Sequence, residues 1–203
     1  MELKEDPSNP IQNVTVITVG PAAAEPTLRK ALAIGADDAI RVDAETSDAF
    51  FVASQIAEVV KNGDFAIILS GIESSDFNGS AVGGMLSELL DLPSVSAISS
   101  MNFANGEVLI NRDIDGGREE LSISTPFIGI VQKGIAKEPR IAAMRGIMMA
   151  RKKPLQVVTA VDVTALTEII EFALPTPKEP CKMFEADNIK ELVNLLQNEA
   201  KVI

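Results

Sequence analysis

Residues 66–90 read AIILSGIESSDFNGSAVGGMLSELL: an apolar strand, a loop of small residues and an amphipathic helix in one run. Gly71, Gly79, Gly83 and Gly84 carry no side chain to cover their backbone N–H groups, and Ser80 or Asn78 could cap the helix. Val82, Met85, Leu86, Leu89 and Leu90 follow helical spacing. A loop at the carboxyl end of a buried strand, opening into a helix N-terminus, is where α/β proteins hold phosphate. Nucleotide binding is therefore the first hypothesis, against a plain strand–loop–helix connection whose glycines serve tight turns. Neither GxGxxG nor GxxxxGK[ST] occurs in the loop. Asp76 would repel phosphate, and suits a ribose hydroxyl or a turn cap.

The same alternation continues on the amino-terminal side. Residues 14–19 (VTVITV) read as a buried strand ending at Gly20-Pro21. Glu25-Pro26 opens a helix that carries Leu28, Ala31 and Leu32 and stops at Gly35. Residues 39–42 form a second strand. Ser47 or Asp48 begins a helix through Phe51, Ile56, Val59 and Val60, closed by Asn62-Gly63, and residues 65–69 form a third strand. Strand–helix alternation of this kind predicts an α/β fold with a parallel sheet and helices on both faces.

Beyond Pro93 the texture changes. Strand-like runs at 94–101, 107–113, 119–124 and 127–132 are joined by turn signals, Asn105-Gly106 and Asp115-Gly116-Gly117 among them, which predicts an antiparallel extension. Residues 140–153 read as a helix rich in methionine. Residues 157–182 read as a linker holding Pro175, Pro177 and Pro180, and a last helix capped by Asp187 carries Ile189, Leu192, Val193 and Leu196 on one face. The methionines are either gap-filling core residues or, beside Arg140, Arg145 and Arg151, an adaptable docking surface. The C-terminal arm could pack on its own domain or reach another chain, and its proline-rich approach favours reaching.

Composition narrows the chemistry. With 203 residues, 46% of them hydrophobic, the chain can bury one good-sized core. A net charge of −11 makes nucleic acid and anionic membranes poor partners for the surface as a whole. The basic cluster Arg151-Lys152-Lys153 reads as a solvated helix C-terminus. There is no His, Trp or Tyr, and Cys181 is the one cysteine, read as a buried or incidental thiol. Ser-His-Asp and Cys-His catalysis, His- or Cys-based metal sites and internal disulfides are thereby excluded, so no catalytic or metal-ligating residue is assigned. Redox chemistry would have to come from a bound cofactor. No apolar run is long enough to cross a bilayer and the N-terminus has no signal-peptide layout. The expected location is cytoplasmic, or the mitochondrial matrix if a presequence has been removed.

Four stretches taken in order carry a resemblance: Gly20-Pro21 followed by LRKALAIGADDAIRVD (28–43), the loop 71–84 with MLSELLDLP, NRDIDGGRE (111–119), and KEPRIAAMRGIMMARKKP (137–154). Through them the chain resembles the β-subunit of electron-transfer flavoprotein over nearly its full length. The resemblance implies a Rossmann-like (adenine-nucleotide α-hydrolase-like) parallel sheet over residues 1–154, with an antiparallel hairpin extension. It implies that residues 155–203 form a linker and helical arm packing on the partner subunit.

It also implies an α/β heterodimer that carries electrons from acyl-CoA or related dehydrogenases in fatty-acid oxidation to the respiratory chain. In that family FAD is held mainly by the α-subunit and AMP is bound structurally. The family's nucleotide contacts fall on Val19 and on Gly71, Ile72, Glu73, Ser74, Ser75, Asp76, Phe77, Asn78, Gly79, Ser80, Ala81 and Val82. Asp113 matches an acidic position that pairs with an α-subunit arginine near the flavin. Glu138, Pro139, Arg140, Met144, Arg145 and Met148 fall in the dehydrogenase-docking loop, Met144 standing where the family commonly has leucine.

Two departures shape the expectations. The loop lacks the family's acidic run and Thr-Gly, and its Val82-Gly83 is closer to the electron-bifurcating subgroup, in which a second FAD replaces AMP. Met149 stands where the family has lysine, leaving docking charge to Arg145, Arg151 and Lys152. Met1–Glu5 resembles the end of the family's first helix, so a first strand, its loop and most of a helix are expected to be missing, with low stability for the chain alone. A stand-alone adenine-nucleotide module is the third reading, and the 137–154 segment argues against it.

Overall fold

The computed structural model describes residues 1–46, 48–61, 63–104, 106–136, 138–178 and 180–203. Ser47, Asn62, Asn105 and Lys137, each part of a sequence expectation, lie outside the described residues. The chain divides into two compact units, Met1–Glu168 and Ile169–Ile203.

The first unit opens with a one-turn helix α1 (Glu2–Glu5), followed by β1 (Thr15–Val19), a 3₁₀ turn (Ala22–Ala24), α2 (Glu25–Ala33), β2 (Asp38–Asp43), α3 (Ala49–Lys61) and β3 (Ile67–Gly71). It continues through α4 (Val82–Leu90), β4 (Ser94–Ala104), β5 (Glu107–Ile114), β6 (Gly117–Ile123), β7 (Phe127–Val131), α5 (Met144–Ala150) and β8 (Leu155–Thr159). Parallel strands in the order β1-β2-β8 make one sheet, and β3-β7-β4-β5-β6 make another. Within the second sheet β3, β7 and β4 are parallel, while β4, β5 and β6 are antiparallel. This is the expected α/β, Rossmann-like class with its antiparallel extension. Register shifts around Val95–Ser100, with Ala97 at φ 58°, bend β4 so that one strand serves both parts.

Three apolar clusters hold the unit together. Leu28 and Leu32 of α2 meet Ala39 of β2 and Ala150 of α5. Ala53 and Ala57, one turn apart on α3, let that helix approach Leu86 of α4 and Ile128 and Ile130 of β7. Val95, Ile98, Met101, Val108, Ile110 and Phe127 fill the second sheet's other face. Lys4 of α1 pairs with Asp37, whose carboxyl burial would push up, but the bonds from Lys4 and from the Val14 N–H hold it below the usual range.

Several expectations are corrected. Residues 155–159 do not begin a linker: Leu155–Thr159 pairs in parallel with β2, because its β-branched residues extend a sheet that β1 and β2 alone leave half-finished. The helix expected over 140–153 is only Met144–Ala150, since Ala143 at its start is extended (ψ 154°) and Gly146 packs against Ala33. Gly146 has no room for a Cβ, which would lie 2.3 Å from the Ala33 carbonyl oxygen.

Lys153 is not a solvated cation. Its Nζ donates to the carbonyls of Leu32 (3.0 Å) and Ala36 at the end of α2, while Arg29 donates to those of Ala150 (2.9 Å) and Lys153 (3.0 Å), so α2 and α5 cap each other. β1, expected to be buried, is half-exposed along most of its length because it is an edge strand. Asp48 starts α3, its Oδ1 accepting the Phe51 N–H at 2.7 Å.

The second unit contains α6 (Ile189–Asn198), with Ile189, Leu192 and Val193 exposed and Lys182 paired with Glu199 at 2.7 Å. Asp187 does not cap it. Asn188 occupies the N-cap position and donates its side-chain amide to Glu191 instead. Cys181 is exposed, not buried.

Candidate functional site

The glycine loop begins where β3 leaves its sheet. The Ile72 N–H donates to the Val131 carbonyl at 3.0 Å, carrying the β3–β7 ladder one residue further. The chain then turns sharply: Asn78 N–H donates to the Ser74 carbonyl at 2.8 Å, and Asn78 (φ 47°) and Ser80 (φ 45°) both take left-handed backbone. The Ser74 hydroxyl, Asp76's own N–H and that of Phe77 hold the Asp76 carboxyl below the usual range, so it is a charged turn-former here. Phe77 is 64% exposed.

The two expected helix caps do not form. Ala81 occupies the N-cap position of α4 with no side-chain cap, and Ser80 Oγ turns to Glu73 at 3.3 Å. The first helical bond runs from Met85 N–H to the Ala81 carbonyl, so the amides of Val82, Gly83 and Gly84 gain no partner from a capping side chain.

The glycines divide into two kinds. A Cβ on Gly83 would lie 2.5 Å from Ser70 Oγ and 2.7 Å from Ile130 Cγ1, so this glycine lets α4 sit directly on β3 and β7. Gly79 and Gly84 face open space. Ser70 Oγ is buried with no hydrogen-bond partner beneath this helix start. An uncapped first turn beside open glycines is a setting that can receive an anion, while Glu73 and Asp76 oppose negative charge and Ser70 Oγ, pressed under Gly83, does not reach the open side.

Across the carboxyl ends of the first sheet, Val19 is buried and the Gly20 N–H donates to the Val42 carbonyl at 3.0 Å. Arg41 of β2 reaches the Gly20 carbonyl at 2.9 Å and pairs with Asp43. Sequence reasoning passed over Arg41, a buried cation between Ile40 and Val42 whose partners here are the Gly20 carbonyl and Asp43.

The other expected residues lie elsewhere. Asp113 on β5 stands opposite Arg118 on β6, whose Nε donates to it at 3.0 Å, beside a second pair, Arg112–Glu119 at 2.6 Å. Glu138, Pro139 and Arg140 precede α5, and Met144, Arg145 and Met148 lie on it. Arg140 forms a two-pronged pair with Glu5 (2.6 and 2.5 Å), a hydrogen-bonded contact that holds the carboxyl below its usual range. Met144 is 74% exposed and Ile141 94% exposed, with Met148 and Met149 also on the surface. Core filling is thereby overturned as the role of these methionines. No group of three or more metal-binding side chains occurs among the described residues.

The family model described as the electron transfer flavoprotein domain matches residues 1–163. The chain is 34% identical over 204 residues to the electron transfer flavoprotein subunit beta of Bacillus subtilis (strain 168), covering 94% of this chain and 79% of that one. The chain belongs to the electron transfer flavoprotein family. It is 32% identical over 195 residues to the subunit beta of Bradyrhizobium diazoefficiens, covering 94% and 77% of the two chains. It is also 27% identical over 201 residues to that of Sus scrofa, covering 95% and 78%. Membership ties the chain to flavin-dependent electron transfer. Among the described residues no helix is long and apolar enough to cross a membrane.

Proposed function

We propose that this chain is the β-subunit of an electron-carrying α/β heterodimer. It takes electrons from acyl-CoA or related dehydrogenases and delivers them towards the respiratory chain, as a carrier and not an enzyme in its own right. FAD, held mainly by the α-subunit, supplies the redox chemistry. This chain provides three surfaces around it. The uncapped start of α4 and the open loop hold AMP as a structural ligand through backbone amides, and Val19, at the end of β1, is the further contact that the family resemblance implies. Asp113 faces an arginine of the α-subunit, and the unit Ile169–Ile203 packs its apolar helix on that partner.

The observation that carries the reading is the exposed apolar group at Ile141, Met144 and Met148. Side chains of this kind standing in water, on a segment that the family resemblance places at the dehydrogenase, suit a carrier that must bind and release quickly. A flexible thioether anchor provides contact without rigid complementarity. Met144→Ala is expected to lower the rate of electron acceptance by about 10-fold, as loss of an interface anchor does, with flavin content unchanged. Loss of flavin in this variant would make Met144 a packing residue and defeat the reading.

A second reading follows from Val82-Gly83 at the start of α4, which resembles the bifurcating subgroup, where a second FAD replaces AMP. Extraction of the partner-bound chain distinguishes them: one flavin and one AMP per heterodimer support the first, two flavins the second, and no adenine compound defeats both.

A further inference from the structure

We propose that the free edges of β1 and β3 bound a slot for one further strand, an extended all-apolar polypeptide segment from outside residues 1–203. Such a slot belongs to the scaffold and stands or falls apart from the functional reading above.

In its sheet β1 pairs with β2 alone, and β3 with β7 alone. The Gly20 N–H donates to the Val42 carbonyl. By the alternation of a parallel ladder, Val16 and Thr18 then turn towards β2, and Thr15, Ile17 and Val19 face outwards. The Ile72 N–H donates to Val131, which leaves Ile67, Leu69 and Gly71 of β3 facing outwards in the same way. These residues present backbone groups that neither ladder uses. Neither strand carries a charge, whereas β6, the opposite edge of the larger sheet, carries Arg118, Glu119 and Glu120.

Both edges lie under one helix. α3 packs on β1, and its Ala53 and Ala57 share a cluster with Ile68 of β3. It also carries the chain from the carboxyl end of β2 to the amino end of β3, so the two sheets run the same way. A helix with its side chains is about 10–12 Å across, and paired strands lie about 4.8 Å apart. Two edges beneath one helix that do not pair with each other are therefore one strand apart. The other face has its own cover. Leu3 of α1 joins the cluster that takes Ile67, while Lys4 holds Asp37, whose carboxylate accepts the Val14 N–H just before β1. A strand between such covers meets apolar side chains on both faces, and parallel strands in that setting are continuous runs of Val, Ile and Leu. That fixes the chemistry of the occupant. Leu69, midway along β3, is 51% exposed, and a strand alongside would bury it.

The test is residue-resolved hydrogen exchange on the full chain with the peptide KKVIVIVKK and with KKVIPIVKK, in which proline keeps the charge and removes a ladder donor. The first peptide is expected to slow exchange at the Ile17 and Leu69 amides together by about 10-fold or more, while Thr18 and Ser70, already paired, change little. The proline peptide is expected to change neither edge. β8, an uncharged edge strand on the far side of the first sheet, is the comparison. No slowing, slowing at β8 alone or at only one of β1 and β3, or equal slowing by both peptides overturns the slot. Protection of Ile17 and Leu69 that needs no peptide and rises with chain concentration overturns it too, because a second copy then fills the gap.

Discussion

Gly83 and Gly84 are neighbours in sequence with opposite duties. Gly83 is pressed against Ser70 and Ile130, so Gly83→Ala must push α4 off β3 and β7, at a cost of about 1–3 kcal/mol in urea denaturation. Gly84 has nothing within 4 Å, and alanine there restricts the unfolded chain more than the folded one. Gly84→Ala is expected to raise stability by about 0.5–1 kcal/mol, read from the same denaturation curves. If the phosphoryl group occupies that space, the variant also binds AMP more weakly, so stability and ligand affinity move in opposite directions. The sequence announces a cluster of glycines but cannot separate these duties. Only the packing partner of each Cβ position does so.

At the scale of elements, α3 governs how residues 160–168 leave the first sheet. Asp48 Oδ1 caps the helix, while Oδ2 accepts the N–H groups of Leu166 (2.7 Å) and Thr167 (2.9 Å). About two turns further, Gln55 exchanges two 2.8 Å bonds with Val161, as a neighbouring strand would. The Phe51 N–H foremost, then those of Thr167 and Leu166, hold the Asp48 carboxyl below its usual range. A carboxyl depressed in the folded state contributes stability at neutral pH and loses it as pH falls through its folded value. Acidification below the usual aspartate range, or Asp48→Ala, is therefore expected to lower the hydrogen-exchange protection of the Leu166 and Thr167 amides, measured against the intrinsic rate at the same pH, while Val161 stays protected. Gln55→Leu reverses the pattern and strands two backbone groups, at about 1–3 kcal/mol by denaturation. The strand–helix order up to α4 was legible because periodicity and punctuation agree there. LQVVT escaped because five residues after a proline carry little period of their own, and their pairing with β2 is a contact across more than 110 residues. The shortened α5 escaped likewise, because Ala33, not its own composition, decides where Gly146 can lie.

At the scale of the whole molecule, a net charge of −11 coexists with exposed apolar residues in each unit taken by itself, Ile141, Met144 and Met148 in the first and Ile170, Phe172 and Leu174 in the second. Patches of this kind mark surfaces made for other proteins. Between β8 and α6 no residue is placed in a helix or strand among those described, and Lys182 is exposed within that span. Limited trypsin digestion is expected to cut first at Lys182, and binding of the flavin-bearing partner to slow that cut. Unchanged cleavage in the complex would show that the partner does not cover the C-terminal unit. The order of strands in the larger sheet has a consequence during synthesis. β7 lies between β3 and β4 yet is made after both, and after the β4–β6 meander is complete. The meander can zip locally as it emerges, whereas β3 waits for residues 127–131, a delay of several seconds at roughly 5–20 residues per second. For that interval a nascent chain on the ribosome carries an unfilled groove, and that is the moment when a chaperone has most to do.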